Sequence, residues 1–103
     1  MIIAVDFDGT LCEEKYPEIG RPNTKLIEEI KNRPHDTFIL WTCRCGERLK
    51  EAVEWCKEQG LNFEYINENC KERIEQYGND TRKVSADEYW DDKGRFKCYT
   101  KDT

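Results

Sequence analysis

The fold is determined by the first ten residues, MIIAVDFDGT (residues 1–10). Residues 1–5 form an apolar run rich in β-branched side chains, with no alternation of polar and apolar positions. This pattern predicts a strand that is buried on both faces, as the strands of a parallel sheet are. Two aspartates, a glycine and a threonine follow directly, so the strand ends in acidic side chains.

Outward from this strand, apolar segments alternate with helical patterns. Strand-like composition is found in residues 37–42, 62–66, 86–92 and 95–100. Periodicity and capping residues predict helices over residues 24–32, between Gly46 and Gly60, and over 71–77. The alternation predicts βαβ units, and hence a single α/β domain over residues 1–103. We expect a Rossmann-like three-layer sandwich whose central parallel sheet is covered on both faces.

The segment between the first strand and the first helix has a different character. It is polar and contains Pro17, Gly20 and Pro22. This composition predicts a loop of about a dozen residues.

Composition limits the range of functions. The chain has 103 residues, of which 38% are charged, with a formal net charge of −5 and a pI near 5.0. The acidic balance argues against a general nucleic-acid binder, which needs a basic surface. The longest apolar run is too short for a membrane span or a signal-peptide core. We therefore expect a cytoplasmic protein without a membrane partner.

The cysteines are six in number: Cys12, Cys43, Cys45, Cys56, Cys70 and Cys98. Because no signal segment points to an oxidising compartment, we expect reduced thiols that serve as small core side chains. Zinc is disfavoured, since the chain has no Cys-x-x-Cys pair and a single histidine.

The strand ends carry the candidate functional side chains. Ligands of open parallel sheets bind beyond the carboxyl ends of the strands. The polar residues predicted at or near this edge are Asp6, Asp8, Thr42, Lys83, Asp91 and Asp92. Clustered carboxylates repel one another unless a cation joins them, and their hard oxygen atoms suit Mg²⁺. With Thr42 and Lys83 holding the oxygens of a phosphoryl group, the pattern predicts a phosphoryl-transfer site.

Two other structures can produce the Asp-x-Asp-Gly motif. In an EF-hand loop beginning at Asp6, Leu11 would occupy the position of the required glycine and Pro17 that of the bidentate glutamate, so this interpretation fails. A plain Asp-Gly turn after an edge strand stays open. The acidic pair Asp91-Asp92 at the end of another strand weakens that alternative.

Together these residues resemble the four sequence signatures of the haloacid dehalogenase superfamily. Ile3-Ala-Val-Asp6-Phe-Asp8-Gly9-Thr10-Leu11 is similar to the first, hydrophobic residues followed by D-x-D-G-T. Ile39-Leu-Trp-Thr42 resembles the second signature, Lys83 the third and Asp91-Asp92 the fourth, in the family's order. The resemblance implies a fold like that of haloacid dehalogenases and a phosphatase of the aspartyl-phosphate type.

The resemblance also implies a role for individual residues. Asp6 would be the nucleophile and a Mg²⁺ ligand. Asp8 would be the general acid and base, and its backbone carbonyl would be a second metal ligand. Thr42 and Lys83 would hold the oxygens of the transferring phosphoryl group.

The fourth signature departs from the commoner family pattern, which is Gly-Asp with another acid four residues later. Asp92 is preferred as the direct metal ligand, and Asp91 would place Lys83 or a metal-bound water. The reverse assignment stays open, so both aspartates are candidate metal residues.

The resemblance raises the question of a cap domain. Neither interval where family members insert one, after the first strand or after the third, is long enough here, so we expect a capless protein with an open site. Residues 12–20 could form a flap over this site or an ordinary solvated loop. Arg44 could contact an anionic group of the substrate or form a surface salt bridge. A second subunit of a homo-oligomer could also cover the site.

We thus predict a Mg²⁺-dependent phosphatase that hydrolyses phosphomonoesters through an aspartyl-phosphate intermediate. The class of its phosphorylated substrate stays open. Two alternatives also stay open: a phosphotransferase that uses an acceptor other than water, and a non-catalytic binding or regulatory module. The presence of both Asp6 and Asp8 argues against the module.

Overall fold

The computed structural model describes residues 1–67, 86–92 and 94–97. The elements in chain order are β1 (Ile2–Asp6), β2 (Cys12–Lys15), β3 (Glu18–Pro22), α1 (Thr24–Lys31), β4 (Thr37–Trp41), α2 (Gly46–Glu58), β5 (Tyr65–Ile66), β6 (Glu88–Asp91) and β7 (Gly94–Lys97). The helix predicted over residues 71–77 and the candidate Lys83 lie outside the described residues, as do Cys70 and Cys98.

The main sheet has five strands in the order β5-β4-β1-β6-β7. The first four are parallel, and β7 joins the edge antiparallel to β6. The apolar run at the start of the chain forms the central strand, and Ile3, Ala4 and Val5 are fully buried. The prediction of an α/β protein with a central parallel sheet is confirmed.

Both described helices lie on one face of the sheet. The side chain of Asn23 caps α1 by accepting a hydrogen bond from the backbone N–H of Leu26 (3.3 Å). The core on this face combines residues of β1, β4 and β6 with the buried sides of both helices: Ile3, Val5, Leu40, Trp90, Ile27, Ile30, Ala52 and Cys56. The crossovers from β1 to β4 and from β4 to β5 proceed in the same direction, so right-handed connections put both helices on the same face.

The opposite face of the sheet has a second, smaller buried cluster. Ile2, Ala4 and Ile39 form a second cluster with Ala86, against which Tyr65 and Tyr89 pack. Side chains on both faces of β1 are thus removed from water, as the uninterrupted apolar run predicted.

The segment predicted as a loop is an antiparallel hairpin, so that prediction was wrong. Strands β2 and β3 pair with Glu14 opposite Ile19 and Lys15 opposite Glu18. The Glu13 carboxylate accepts two hydrogen bonds from the Arg21 guanidinium (2.8 and 2.9 Å), which joins the strands. A Cβ atom at Gly20 would lie 2.5 Å from the Glu13 carbonyl oxygen, so the strands approach closely because this residue is glycine.

The cysteine prediction holds for half of the described thiols. Cys12 and Cys56 are buried in the core, whereas Cys43 and Cys45 are exposed at the end of β4. All four are free thiols. In the part of the chain that the structure describes, no helix is long and apolar enough to cross a membrane.

Candidate active site

The sheet brings the predicted strand-end residues to one edge. Asp6 pairs with Trp41, so Thr42 follows β4 at the level where β1 ends. Val5 pairs with Trp90, which puts the carboxyl end of β6 beside that of β1. Parallel register is the reason why polar residues far apart in the sequence meet here.

The turn after β1 packs against the end of β6. The N–H groups of Thr10 and Leu11 donate to the carbonyl of Phe7 (3.2 and 3.0 Å), which closes the turn. Gly9 has a φ of +84°, and a Cβ atom there would lie 3.3 Å from the Cβ of Asp92. The positive φ favours glycine at this position, and a Cβ atom there would be in tight contact with Asp92.

Asp6 occupies an electrostatically unfavourable position. The pKa of its half-buried carboxyl is raised from 3.8 to about 6. Burial is the main cause, and the negative charges of Asp92, Asp8 and Asp91 raise the pKa further, while a hydrogen bond from the Phe7 backbone opposes the shift. Carboxylates from two strand ends thus act on one another, as the sequence predicted.

Asp8 is bound by a buried arginine. The Arg44 Nε and Nη2 atoms donate to the two carboxylate oxygens of Asp8 at 2.8 and 2.7 Å. Arg44 is only 3% exposed, and this bidentate pair raises the pKa of its guanidinium. The sequence offered a substrate contact or a surface salt bridge for Arg44, whereas the structure shows a buried ion pair.

The same guanidinium reaches the β2–β3 hairpin. Arg44 Nη1 donates to the carbonyl of Pro17 (3.2 Å), and Nη2 also donates to that of Glu18 (2.9 Å). The guanidinium carbon lies 5.0 Å from the ring centroids of both Phe7 and Tyr16. Arg44 therefore connects the turn after β1 to the tip of the hairpin.

Hydrogen bonds fix both the side chain and the backbone of Thr42. Its hydroxyl oxygen accepts a hydrogen bond from the backbone N–H of Arg44 (3.1 Å), and its own N–H donates to the side-chain oxygen of Asn67 (2.8 Å). Asn67 follows β5 and has a φ of +54°. We missed this residue in the sequence, although a polar residue after the third parallel strand is the same signal that selected Thr42.

An open cleft of about 440 Å³ exposes these groups to solvent. It is lined by Asp6, Asp8, Glu14, Tyr16, Thr42, Cys43 and Arg44. Two of these residues, Glu14 and Tyr16, belong to the hairpin segment, and Tyr16 is 57% exposed. The hairpin therefore forms one wall of the cleft.

The donor set at this edge is chemically suited to a hard cation. Asp6, Asp91 and Asp92 offer carboxylate oxygens, and Mg²⁺ prefers such ligands together with water. Within residues 1–67, 86–92 and 94–97, however, no three His, Cys, Asp or Glu residues already form a metal-binding group. The side-chain oxygens of Asp8 are engaged by Arg44, so Asp8 would contribute its backbone carbonyl.

Comparison with a solved structure identifies a relative. A conserved protein from Bacteroides thetaiotaomicron shares 41% sequence identity with this chain and superposes with a TM-score of 0.78. The match covers 91% of this chain and 77% of the other. The chain therefore belongs to the same family as that conserved protein and shares its fold. No protein-family model and no curated protein matches the chain.

Proposed function

We propose that the protein is a capless phosphatase of the haloacid dehalogenase type, which hydrolyses phosphomonoesters through an aspartyl-phosphate on Asp6. The observation that carries the proposal is the meeting of Asp6, Asp8 and Thr42 in one open cleft, with Asp92 close to Gly9 in the turn that follows β1. The segment between β1 and α1, one of the two intervals where a cap domain would be inserted, is a two-stranded hairpin.

In the proposed first step, a carboxylate oxygen of Asp6 attacks phosphorus and the bond to the leaving oxygen breaks. Asp8 gives its proton to that oxygen, so the leaving group departs as an alcohol. In the second step, Asp8 takes a proton from water, whose oxygen attacks phosphorus. The bond between Asp6 and phosphorus breaks, and inorganic phosphate is released with the Asp6 carboxylate restored.

The contacts of Asp8 bear on these two tasks. Both of its oxygens accept hydrogen bonds from Arg44, which is the arrangement of a deprotonated carboxylate that acts only as an acceptor. For Asp8 to donate a proton to a leaving group, one of these two bonds must open. Because the cleft is open to solvent, a substrate can reach the Asp8 carboxylate.

Thr42 is suited to hold a phosphoryl oxygen. Because its hydroxyl oxygen accepts a hydrogen bond from the Arg44 backbone, its O–H proton is left to donate toward the cleft. The assignment of Lys83 as the cationic partner of the phosphoryl group rests on the resemblance to the family.

The resemblance assigns Mg²⁺ to this site, and the acidic donor set fits it. Asp6, Asp92 and Asp91 and the backbone carbonyl of Asp8 would hold the ion. When bound, Mg²⁺ would offset the negative charge of the carboxylates and of the phosphoryl group. The raised pKa of Asp6 supports this role, because it reflects negative charges at the site that a bound cation would compensate.

The proposal is tested by hydrolysis of p-nitrophenyl phosphate with Mg²⁺ and with a chelator, using wild-type protein and Asp6→Asn. We expect turnover that requires both Mg²⁺ and Asp6. Turnover by Asp6→Asn at the wild-type rate would exclude the aspartyl-phosphate mechanism.

Product analysis addresses the two alternatives. Release of the nitrophenol without free phosphate in the presence of an added alcohol would indicate a phosphotransferase. Absence of turnover by folded protein that binds Mg²⁺ would indicate a binding module.

A further inference from the structure

We propose that Arg44 is a positioning residue that couples the carboxylate of Asp8 to the tip of the β2–β3 hairpin (residues 16–18). A change at Asp8 then alters the hairpin, and a loosened hairpin alters Asp8. The catalytic consequence of this coupling rests on the proposed phosphatase function, whereas the coupling itself does not.

The first support is that Arg44 already uses four of the five N–H donors of its guanidinium. Its Nε and two Nη atoms make four hydrogen bonds, two to Asp8 and one each to the carbonyls of Pro17 and Glu18. Its side chain is 1% exposed, compared with 16% for Asp8. A buried cation with these partners supports its neighbours and has little capacity left for a substrate anion.

The second support is the limited attachment of the hairpin tip. The Glu13–Arg21 pair and the contact from the Tyr16 N–H to the Glu14 carboxylate lie within the hairpin itself. Among the described residues, Arg44 is the side chain that bonds the tip to the rest of the protein. The tip is therefore expected to open when Arg44 is replaced.

The third support is the shape of the guanidinium. Its planar fork engages both Asp8 oxygens and two backbone carbonyls at once, with two aromatic rings 5.0 Å from its central carbon. The ammonium group of lysine is a single point charge and cannot reproduce this set of contacts. Arg44→Lys is therefore a conservative variant that keeps the charge and loses the coupling in part.

The coupling is measured by hydrogen exchange of the backbone amides in β2 and β3. The variants are Arg44→Gln, Arg44→Lys and Asp8→Asn, with Arg48→Gln as the matched control, because Arg48 is an exposed arginine paired with Glu51 on α2. We expect hairpin protection to fall at least about tenfold in Arg44→Gln and by less in the other two site variants. Protection in the control should match the wild type.

The amides of α2 report whether a variant has unfolded globally. A loss of global stability raises exchange in α2 and in the hairpin by the same factor, so the coupling is measured as the additional rise in the hairpin relative to α2. If Arg44→Gln does not fold, Asp8→Asn still decides the question, since it keeps Arg44 and replaces one carboxylate oxygen with an amide. Wild-type hairpin protection in a folded Arg44→Gln or in Asp8→Asn would overturn the proposal.

Kinetics with p-nitrophenyl phosphate test the positioning role. Misplacing Asp8 in Arg44→Gln should lower kcat by about a hundredfold and leave KM nearly unchanged, with partial recovery of kcat in Arg44→Lys. A purely structural role would lower the folded fraction without this split or recovery. A large rise in KM at unchanged kcat would instead assign Arg44 to direct substrate binding and overturn the positioning role. If the wild type has no phosphatase activity, the proposed function fails while hydrogen exchange still decides the coupling.

Discussion

The two ends of the central sheet both carry charged residues, but they use them differently. At the amino end, Asp36 accepts from the N-terminal ammonium of Met1 (3.1 Å) and from Arg33 (3.5 Å). Arg33 also pairs with Glu29 at 3.0 Å and lies over the ring of Trp90. The charged groups of these ion pairs are 22–45% exposed, and each acid is next to a cation. Because the pairs are partly solvated, their contribution to stability is modest.

At the carboxyl end, acids face one another. The pKa of Asp6 is raised by burial and by Asp92, Asp8 and Asp91, and the nearby Arg44 is engaged by Asp8. Clustered carboxylates oppose folding through their mutual repulsion, and the proposed chemistry with a cation and a phosphoryl group would make use of them. The comparison supports the placement of the proposed site at the carboxyl end of the sheet.

The largest contrast between the ends should appear in phosphatase activity. Asp8→Asn is expected to lower kcat for p-nitrophenyl phosphate by about 100- to 10,000-fold, because the variant cannot exchange a proton with the leaving group or with water. Asp36→Asn, at the amino end, should keep the wild-type rate. Equal losses in the two variants would remove the functional distinction between the ends.

A smaller effect concerns the metal requirement. Asp92→Ala should raise the Mg²⁺ concentration that gives half-maximal activity by roughly 10- to 100-fold, since it removes a proposed ligand beside Asp6. The same titration of Asp91→Ala separates the two aspartates. A larger shift in Asp91→Ala would reverse their assignment, and no shift in either would place the ion elsewhere.

The two ends should also differ in how much an arginine contributes to the free energy of unfolding: Arg44 at the carboxyl end and Arg33 at the amino end. Arg44→Gln leaves the partly buried Asp8 carboxylate without its cation and should lower the free energy of unfolding by about 3 kcal/mol. Arg33→Gln removes partly exposed pairs and should lower it by about 1 kcal/mol. Urea unfolding of both variants measures the difference, and the order of the two values is the critical result.

The smallest effect is a pH dependence of stability. Because the pKa of Asp6 is raised from 3.8 to about 6 in the folded protein, the folded state holds this proton more tightly and loses stability as pH rises through that interval. Asp6→Asn should therefore raise Tm by roughly 5 °C above pH 6, and the gain should disappear near pH 4. The comparison is made in chelator, and a gain that is constant with pH would exclude this cause.

Much of the fold could be predicted from local sequence. Two examples are the apolar run of β1 and the capping residue Asn23 before α1. Both depend on residues nearby in the sequence, so they can be recognised without knowledge of the rest of the chain. The gathering of Asp6, Thr42 and Asp91 at one edge also follows from the sequence, because parallel strands share the direction of their ends.

The hairpin and Arg44 could not be predicted in this way. β2 and β3 consist largely of exposed polar residues, and their tip is bonded to an arginine that is 26 to 27 residues away along the chain. The burial of Arg44 likewise depends on Asp8, which is 36 residues away. A charged residue after a strand predicts exposure, and only the assembled site reverses that expectation.

The aspartyl-phosphate on Asp6 is the central step of the proposed mechanism, and trapping this intermediate tests it most directly. Asp8→Asn is incubated with Mg²⁺ and p-nitrophenyl phosphate, quenched in acid, digested and analysed by mass spectrometry. Because this variant forms the aspartyl-phosphate faster than it can activate water, we predict one added phosphoryl group on Asp6, removable by hydroxylamine. A phosphoryl group on any other residue, or release of the nitrophenol by this variant with no modification of Asp6 at any time, would contradict the claim.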